Sequence, residues 1–236
     1  MRSLYHGLLA RINLYRRIPL PVTELYWKIK RYLPENPIIL EAGAHMGFDT
    51  YGLSQIWPKG VIHAFEPIPE MYDSLVDRLK GVKNVKTYNV ALGRDNGNIE
   101  MYVSGGNSTA SSSILKPASH LELFPSVTFE SKIIVPVNKL SDWAEQEGIT
   151  RLDLLWLDMQ GYEVYALEGA GHLLKDVSVI YTELCKNELY SGLITQDLYI
   201  EFLAGLDFEL VEVTGDGEVG EGIFISRSAL QKVRSL

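Results

Sequence analysis

The spacing of apolar positions changes several times along the chain, and each change marks an element. Leu4, Leu8 and Ile12 recur at helical intervals with Tyr5 and Leu9 beside them, and Pro19 and Pro21 end the pattern. Thr23 suits a helix cap, and Leu25, Ile29 and Leu33 carry a second helix toward Pro34 and Pro37. Residues 1–37 therefore read as an N-terminal helical extension and 38–236 as one domain. From there strand-like and helix-like runs alternate. "IILEAGA", "GVIHAFEP" (60–67), "NVKTYNVAL" (84–92), "LDLLWLDMQG" (152–161) and "VSVIYTEL" (177–184) are strand-like. Helical spacing falls over 48–57, 69–80 (with Pro69 at its start), 163–174 and "QDLYIEFLAGL", which Thr195 caps. Strands that are apolar throughout, without alternation, predict a parallel sheet covered on both faces. "DFELVEV" and "EGIFISR", joined by "TGDGEVG", predict an antiparallel hairpin at its edge. The fold class is α/β.

One segment breaks the rhythm. Residues 104–130, "SGGNSTASSSILKPASHLELFPSVTFE", form a Ser-rich stretch between the hairpin "NIEMYVS" and the strand "KIIVPVN". Loops of this length in a compact domain are either functional or disordered. A substrate lid and plain disorder both fit the composition.

Composition narrows the field. Of 236 residues, 46% are hydrophobic and 22% charged, an ordinary globular balance. Cys185 is the only cysteine, so no intrachain disulfide forms and C4 and C2H2 zinc sites are excluded. The net charge of −8 is uneven. Arg2, Arg11, Arg16, Arg17, Lys28, Lys30 and Arg31 stand against Glu24 alone in the first 31 residues, a local +6 that leaves −14 on the rest. An acidic body argues against nucleic acid as a partner. The basic start suits peripheral contact with a membrane surface, an anionic substrate, or simply a solvated helix face. No apolar run has the length of a membrane span, and the arginines interrupt any signal-peptide centre. The expectation is a soluble cytoplasmic protein. Oligomeric state is not legible.

The chemistry starts at Ile39 to Gly47, "ILEAGAHMG", where a strand enters a glycine loop. A diphosphate site wants G-x-G-x-x-G and small residues between. Here His45 and Met46 fill the loop, and Glu41 puts a carboxylate at the strand end. That charge repels a diphosphate and attracts a cation, which favours S-adenosylmethionine with its ammonium and sulfonium. Glu66, ending the second strand in "AFEP", can accept two ribose hydroxyls.

Together "EAGAHMG", "AFEP", "NVALG" and "LDMQGYEVYALEGA" resemble the FkbM-type S-adenosylmethionine-dependent methyltransferases, over residues 38 to 226. The last motif is the most specific. The family usually has Lys-Ile-Asp-Val-Glu-Gly-Ala-Glu there, and Asp158, Gly161 and Glu163 match it. Trp156 replaces the lysine and Gln160 the middle glutamate. The resemblance implies a Rossmann-like class I methyltransferase fold with a seven-stranded sheet. It implies a cofactor site of Glu41, Gly43, Ala44, Gly47, Glu66 and Pro67, with Asn89 and Ala91 near the adenine. Asp158 would face the methionine end and the acceptor, and Gln160 and Glu163 the substrate.

Methyl transfer to a hydroxyl needs alignment, desolvation and a base. Asp158, Glu183 and His45 are the candidate catalytic residues. His63, mid-strand, reads as a core residue. Asp158 and Glu183 alone make an incomplete metal site, so no metal is assigned. The expected activity is O-methylation of a hydroxyl on a small molecule, sugar or glycan. The alternatives are a non-catalytic cofactor-binding or interaction protein, or an N-methyltransferase. Nucleic-acid amino methyltransferases of the latter kind usually carry an Asn/Asp-Pro-Pro-Tyr/Phe motif, which "DMQG" lacks.

Overall fold

The computed structural model describes residues 23–215 and 217–235. The helix expected over Leu4 to Ile12, the arginines before residue 23 and Asp216 of the terminal turn lie outside the described residues. Helix α1 (Thr23–Lys30) precedes strand β1 (Ile38–Ala42), α2 (Phe48–Ile56), β2 (Val61–Phe65), α3 (Pro69–Arg78) and β3 (Val85–Tyr88). Then come β4 (Ala91–Gly93), β5 (Gly97–Gly106), α4 (His120–Leu123), β6 (Val127–Lys139) and α5 (Leu140–Gln146). Strand β7 (Leu154–Leu157), α6 (Glu163–Ala170), β8 (Val179–Cys185), α7 (Gln196–Gly205), β9 (Phe208–Thr214), β10 (Val219–Ser226) and α8 (Arg227–Arg234) complete the chain.

Seven strands form one sheet in the order β3-β2-β1-β7-β8-β10-β9. The first five are parallel, and β10 and β9 pair antiparallel. The chain fills one side of β1 first, then returns to its other side with β7. The carboxyl ends of β1 and β7 therefore part at a topological switch point, where open α/β sheets bind ligands. Alternation along β1 feeds both covered faces. Leu40 and Ala42 join a core with Leu155, Leu167 and Ile180, while Ile39 joins Leu53, Ile62 and Leu154 on the other face.

Helix α1 is part of that second core. Tyr26 and Ile29 are fully buried, with Tyr26 edge-on to Trp57 and tilted against Trp156. The described helix of the extension thus packs as a layer of that core.

Three expectations change. The run 84–92 is two strands, because Asn89 turns the chain out of the main sheet and donates its side-chain amide to the carbonyls of Glu66 (2.8 Å) and Pro67 (3.1 Å). Strand β4 beyond it belongs to a second sheet, β4-β6-β5. The helix from Glu163 stops at Ala170, and Gly171 at φ +55° starts a 3-10 turn to Asp176. The terminal hairpin lies at the sheet edge as expected, with β10 against β8 and β9 outermost. The Ser-rich stretch carries structure as well. Strand β5 runs into it, β6 starts in it, and Ser113 pairs with Tyr102 through N–H···O bonds of 2.8 and 3.0 Å. Ala118 N–H donates to Leu189 O and Ser191 N–H to Lys116 O, both at 2.8 Å, which ties the stretch to the loop after β8.

Candidate active site

The loop after β1 needs glycine twice. Gly43 sits at φ +86°, and a Cβ there would lie 1.8 Å from the Asp158 carbonyl oxygen, so β1 and the end of β7 touch through this residue. Gly47 at φ +78° caps α2, and a Cβ there would meet Leu75 Cδ1 at 2.6 Å. The loop is closed on its own N–H groups. Gly43 and Ala44 donate to Phe65 O at 3.0 and 2.9 Å, and Gly47 to Ala44 O at 2.8 Å. His45, at φ +48°, donates its backbone N–H to Glu66 Oε2 at 2.8 Å.

Glu66 is buried, and its second oxygen accepts from Ile68 N–H at 2.8 Å. Burial pushes this carboxyl up to about 7, against the pull of the two backbone N–H groups. Glu66 borders an open crevice that Gly43 and His45 also line. Its apolar walls include Phe65, Ile68, Val90, Ala91, Leu92 and Met101, and Asp158, Met159, Gln160 and Tyr162 line it as well. Thr109, Ala110, Ser112 and Ile114 of the Ser-rich stretch cover it. His45 Nε2 and the Thr109 hydroxyl are 2.9 Å apart. Burial, with the Arg78 guanidinium beside it, holds His45 down at about 4, so the ring is neutral near pH 7.

Gln160 organises the acidic end. It adopts the left-handed backbone at φ +53°. Its Nε2 donates to Asp158 Oδ1 at 2.7 Å and to Glu183 Oε2 at 2.9 Å. Its Oε1 accepts from Tyr190 OH at 3.1 Å, and its backbone carbonyl from Ser113 Oγ at 2.8 Å. Glu183 is partly buried; burial and the charges of Asp158 and Glu163 hold its carboxyl well above the usual range. Glu163 is buried and turned back on the chain. Its Oε1 accepts from Met159 N–H at 2.7 Å at the start of α6, and burial raises its carboxyl to about 7.

The residues read from the sequence divide. Gly43, His45, Glu66, Pro67, Ala91, Asp158 and Gln160 line the crevice. Glu41, Ala44, Gly47, Asn89, Glu163 and Glu183 stand behind the lining. Glu41 is buried beneath the loop, close to Asp49, Thr50 and Asp158; its Oε2 has no hydrogen-bond partner, and burial raises its carboxyl well above the usual range. Ala44 packs against Ala64, Leu75 and Leu79. Asn89 fixes the carbonyls after β2, and Glu163 holds the turn of Gln160. His63 is buried as expected, its Nδ1 3.0 Å from Tyr88 OH, while its Nε2 has no partner. Sequence reasoning missed Tyr190, Ser113 and Thr109. The Ser-rich run signalled the last two as a group, and nothing signalled Tyr190. Among the described residues no cluster of side chains has the makings of a metal site, and no helix is long and apolar enough to cross a membrane.

Comparison with known proteins gives this geometry a family. The family model described as the methyltransferase FkbM domain matches residues 41–210. The 2-O-methyltransferase NoeI of Sinorhizobium fredii (strain NBRC 101917 / NGR234) is 31% identical over 191 residues, covering 79% of this chain and 78% of that protein. Methyltransferase sdnD of Sordaria araneosa is 29% identical over 167 residues, covering 58% of this chain and 61% of that one, under two thirds of its length. Among solved structures, methyltransferase FkbM from Methylobacillus flagellatus KT superposes with a TM-score of 0.52 at 12% identity. The match covers 80% of this chain but 44% of that one, and it is a likeness of fold. The family match runs from the glycine loop into β9 and takes in the whole crevice with its cover; the chain belongs to the FkbM methyltransferase family.

Proposed function

We propose that the chain is an S-adenosylmethionine-dependent O-methyltransferase whose acceptor is a hydroxyl of a small molecule, sugar or glycan. One observation carries the choice of cofactor. The N–H groups of Gly43, Ala44, His45 and Gly47 all donate to acceptors within the protein. A diphosphate needs such amides turned toward it. A cofactor without phosphate does not, and the apolar crevice with one carboxylate at its edge suits an adenosine. Glu66 would take the ribose hydroxyls on the lone pairs its two amide bonds leave, and Ile68 and Ala91 would flank the adenine. The unpartnered Oε2 of Glu41 calls for a donor, which an ammonium group or a buried water supplies. The bound cofactor supplies an electrophilic methyl group with a neutral leaving group. The acceptor's hydroxyl reading rests on the 2-O-methyltransferase relative and on carboxylates at the crevice mouth.

In this reading Asp158 aligns the acceptor and takes its proton. His45 is the second candidate, since a ring that is neutral near pH 7 can accept one. Glu183 backs Asp158 through Gln160. The covering segment excludes water once the site is filled.

Calorimetry tests the cofactor. S-adenosylmethionine should bind and NAD should not. A screen of hydroxyl acceptors with methyl-labelled cofactor then allows a test of Asp158. Asp158→Asn should leave cofactor affinity nearly intact and slow transfer by about 100-fold or more. A variant with weakened cofactor binding and an unchanged saturated rate would remove Asp158 from the chemistry.

A further inference from the structure

We infer that Gln160 is the positioning residue of the acceptor end, its side-chain amide occupying the place between Asp158 and Glu183 that a divalent cation would otherwise take. The inference deepens the methyltransferase reading and rests on it for the nature of the acceptor. Its support is geometric. One nitrogen, Nε2, lies 2.7 Å from an Asp158 oxygen and 2.9 Å from a Glu183 oxygen. A primary amide has two hydrogens, and both are used here. On the other side of the amide lies Tyr190 OH, 3.1 Å from Oε1, its single hydrogen shared with the closer Ser111 O at 2.8 Å. The backbone is fixed. Gln160 holds a left-handed conformation that side-chain-bearing residues seldom adopt, next to Gly161 at φ +95°, and Ser113 Oγ anchors its carbonyl.

Two carboxylates that converge on one point repel each other unless something positive lies between them. Here the donors are N–H dipoles. A calcium ion bound by the same oxygens would sit about 2.3–2.6 Å from them, slightly closer than the amide nitrogen at 2.7 and 2.9 Å. The amide therefore fills the cation position and joins Asp158 to Glu183 without adding a charge. An acceptor hydroxyl is then gripped by carboxylate oxygen directly, and Gln160 has no donor left to touch it. The lid reports to the same residue: Tyr190 OH lies 2.8 Å from Ser111 O, and Ser113 belongs to the cover. Closing the cover and squaring the carboxylate pair are thus one event, passed through one side chain.

Gln160→Glu tests this with Mn²⁺ alone as the probe, by calorimetry and electron paramagnetic resonance. The change places a third carboxylate where the amide was. The variant should bind Mn²⁺ at least about tenfold more tightly than the unmodified protein, and adding Asp158→Asn or Glu183→Gln to it should abolish the gain. Thermal melting of each variant checks that the fold survives, and the unmodified protein needs no variant at all. Micromolar Mn²⁺ binding by the unmodified protein that Asp158→Asn removes would overturn the inference, since the pair would then be a cation site with the amide in place. Equal and weak binding by the unmodified protein and a folded Gln160→Glu would overturn it as well. S-adenosylmethionine titrated into the same samples keeps the two readings apart: its failure to bind counts against the methyltransferase reading, while the Mn²⁺ titration judges Gln160.

Discussion

Glu41 and Glu66 both end apolar strands, and from the sequence they look like equal partners of a cofactor. Folding separates their tasks. Glu41 points under the glycine loop toward Thr50 in the first turn of α2, where burial and the Asp49 charge hold its carboxyl well above the usual range. Glu66 faces the crevice and holds the loop by the His45 amide. A strand gives alternate residues to alternate faces, and which face carries the ligand depends on where the crossovers run, which a single strand does not record. The loop amides, closed on acceptors within the protein, are a feature that no sequence pattern displays. Glu66 yields a prediction with a sign. Its carboxyl is held at about 7, so it is mostly protonated at pH 6 and mostly ionised at pH 8. Ribose hydroxyls donate to the ionised form. Cofactor affinity should therefore rise with pH, by about tenfold from pH 6 to pH 8, and Glu66→Gln should flatten the dependence. Calorimetry at three pH values measures it, and equal affinities across the window would deny Glu66 the ribose.

Elements were more legible than residues wherever one pattern ran unbroken. The strands β1, β2, β7 and β8 are short apolar runs ended by glycine or acid, and all appear close to where the spacing puts them. Legibility failed where side chains redirect the backbone, as at Asn89, or where partners lie far along the chain, as in the sheet β4-β6-β5. The helices α5 and α8, seven and eight residues long, were too short to carry a sustained period. The cover was visible as a Ser-rich interruption, but its anchors at Tyr102 and Leu189 are tertiary. Helix α1 supplies the test at this scale. Tyr26 is fully buried between Trp57 and Trp156, yet its hydroxyl has no partner. Tyr26→Ala should cost about 3–5 kcal/mol by loss of packing. Tyr26→Phe keeps the ring and removes an unsatisfied hydroxyl, so its cost should be near zero or reversed. Denaturant midpoints of the two variants settle whether α1 is a layer of the core or an appendage.

For the whole molecule, the buried acids set how stability varies with pH. Glu41, Glu66, Glu163 and Glu183 all have carboxyls raised by burial, Glu66 and Glu163 to about 7 from an ordinary 4.5. A group whose pKa is raised by folding stabilises the fold at low pH, and that stability is lost as pH climbs through the raised value. The histidines act in the opposite sense. His45 and His63 are held down at about 4, and His120 is lowered, each by burial first. Their contribution is complete above the ordinary histidine value of 6.5 and is lost as pH falls from there toward 4. The two terms overlap below about pH 6.5, but above it only the carboxyls change. The growing negative charge of a chain at −8 adds self-repulsion in the same direction. The protein without ligands should therefore be more stable at pH 6.5 than at pH 8, with roughly 1.5 kcal/mol of the difference from Glu66 and Glu163 together and more from the other two. Thermal melting across that range should show a falling Tm. Glu163→Gln should make the slope shallower, because a neutral amide can replace the protonated acid there, and its effect should be smallest at the acid end. Saturating S-adenosylmethionine should reduce the slope as well, since a cofactor that binds the ionised form of Glu66 stabilises the fold most where that acid is charged. A Tm that rises from pH 6.5 to pH 8 in the ligand-free protein would mean that these acids are ionised in the fold, with donors around them that the present arrangement lacks.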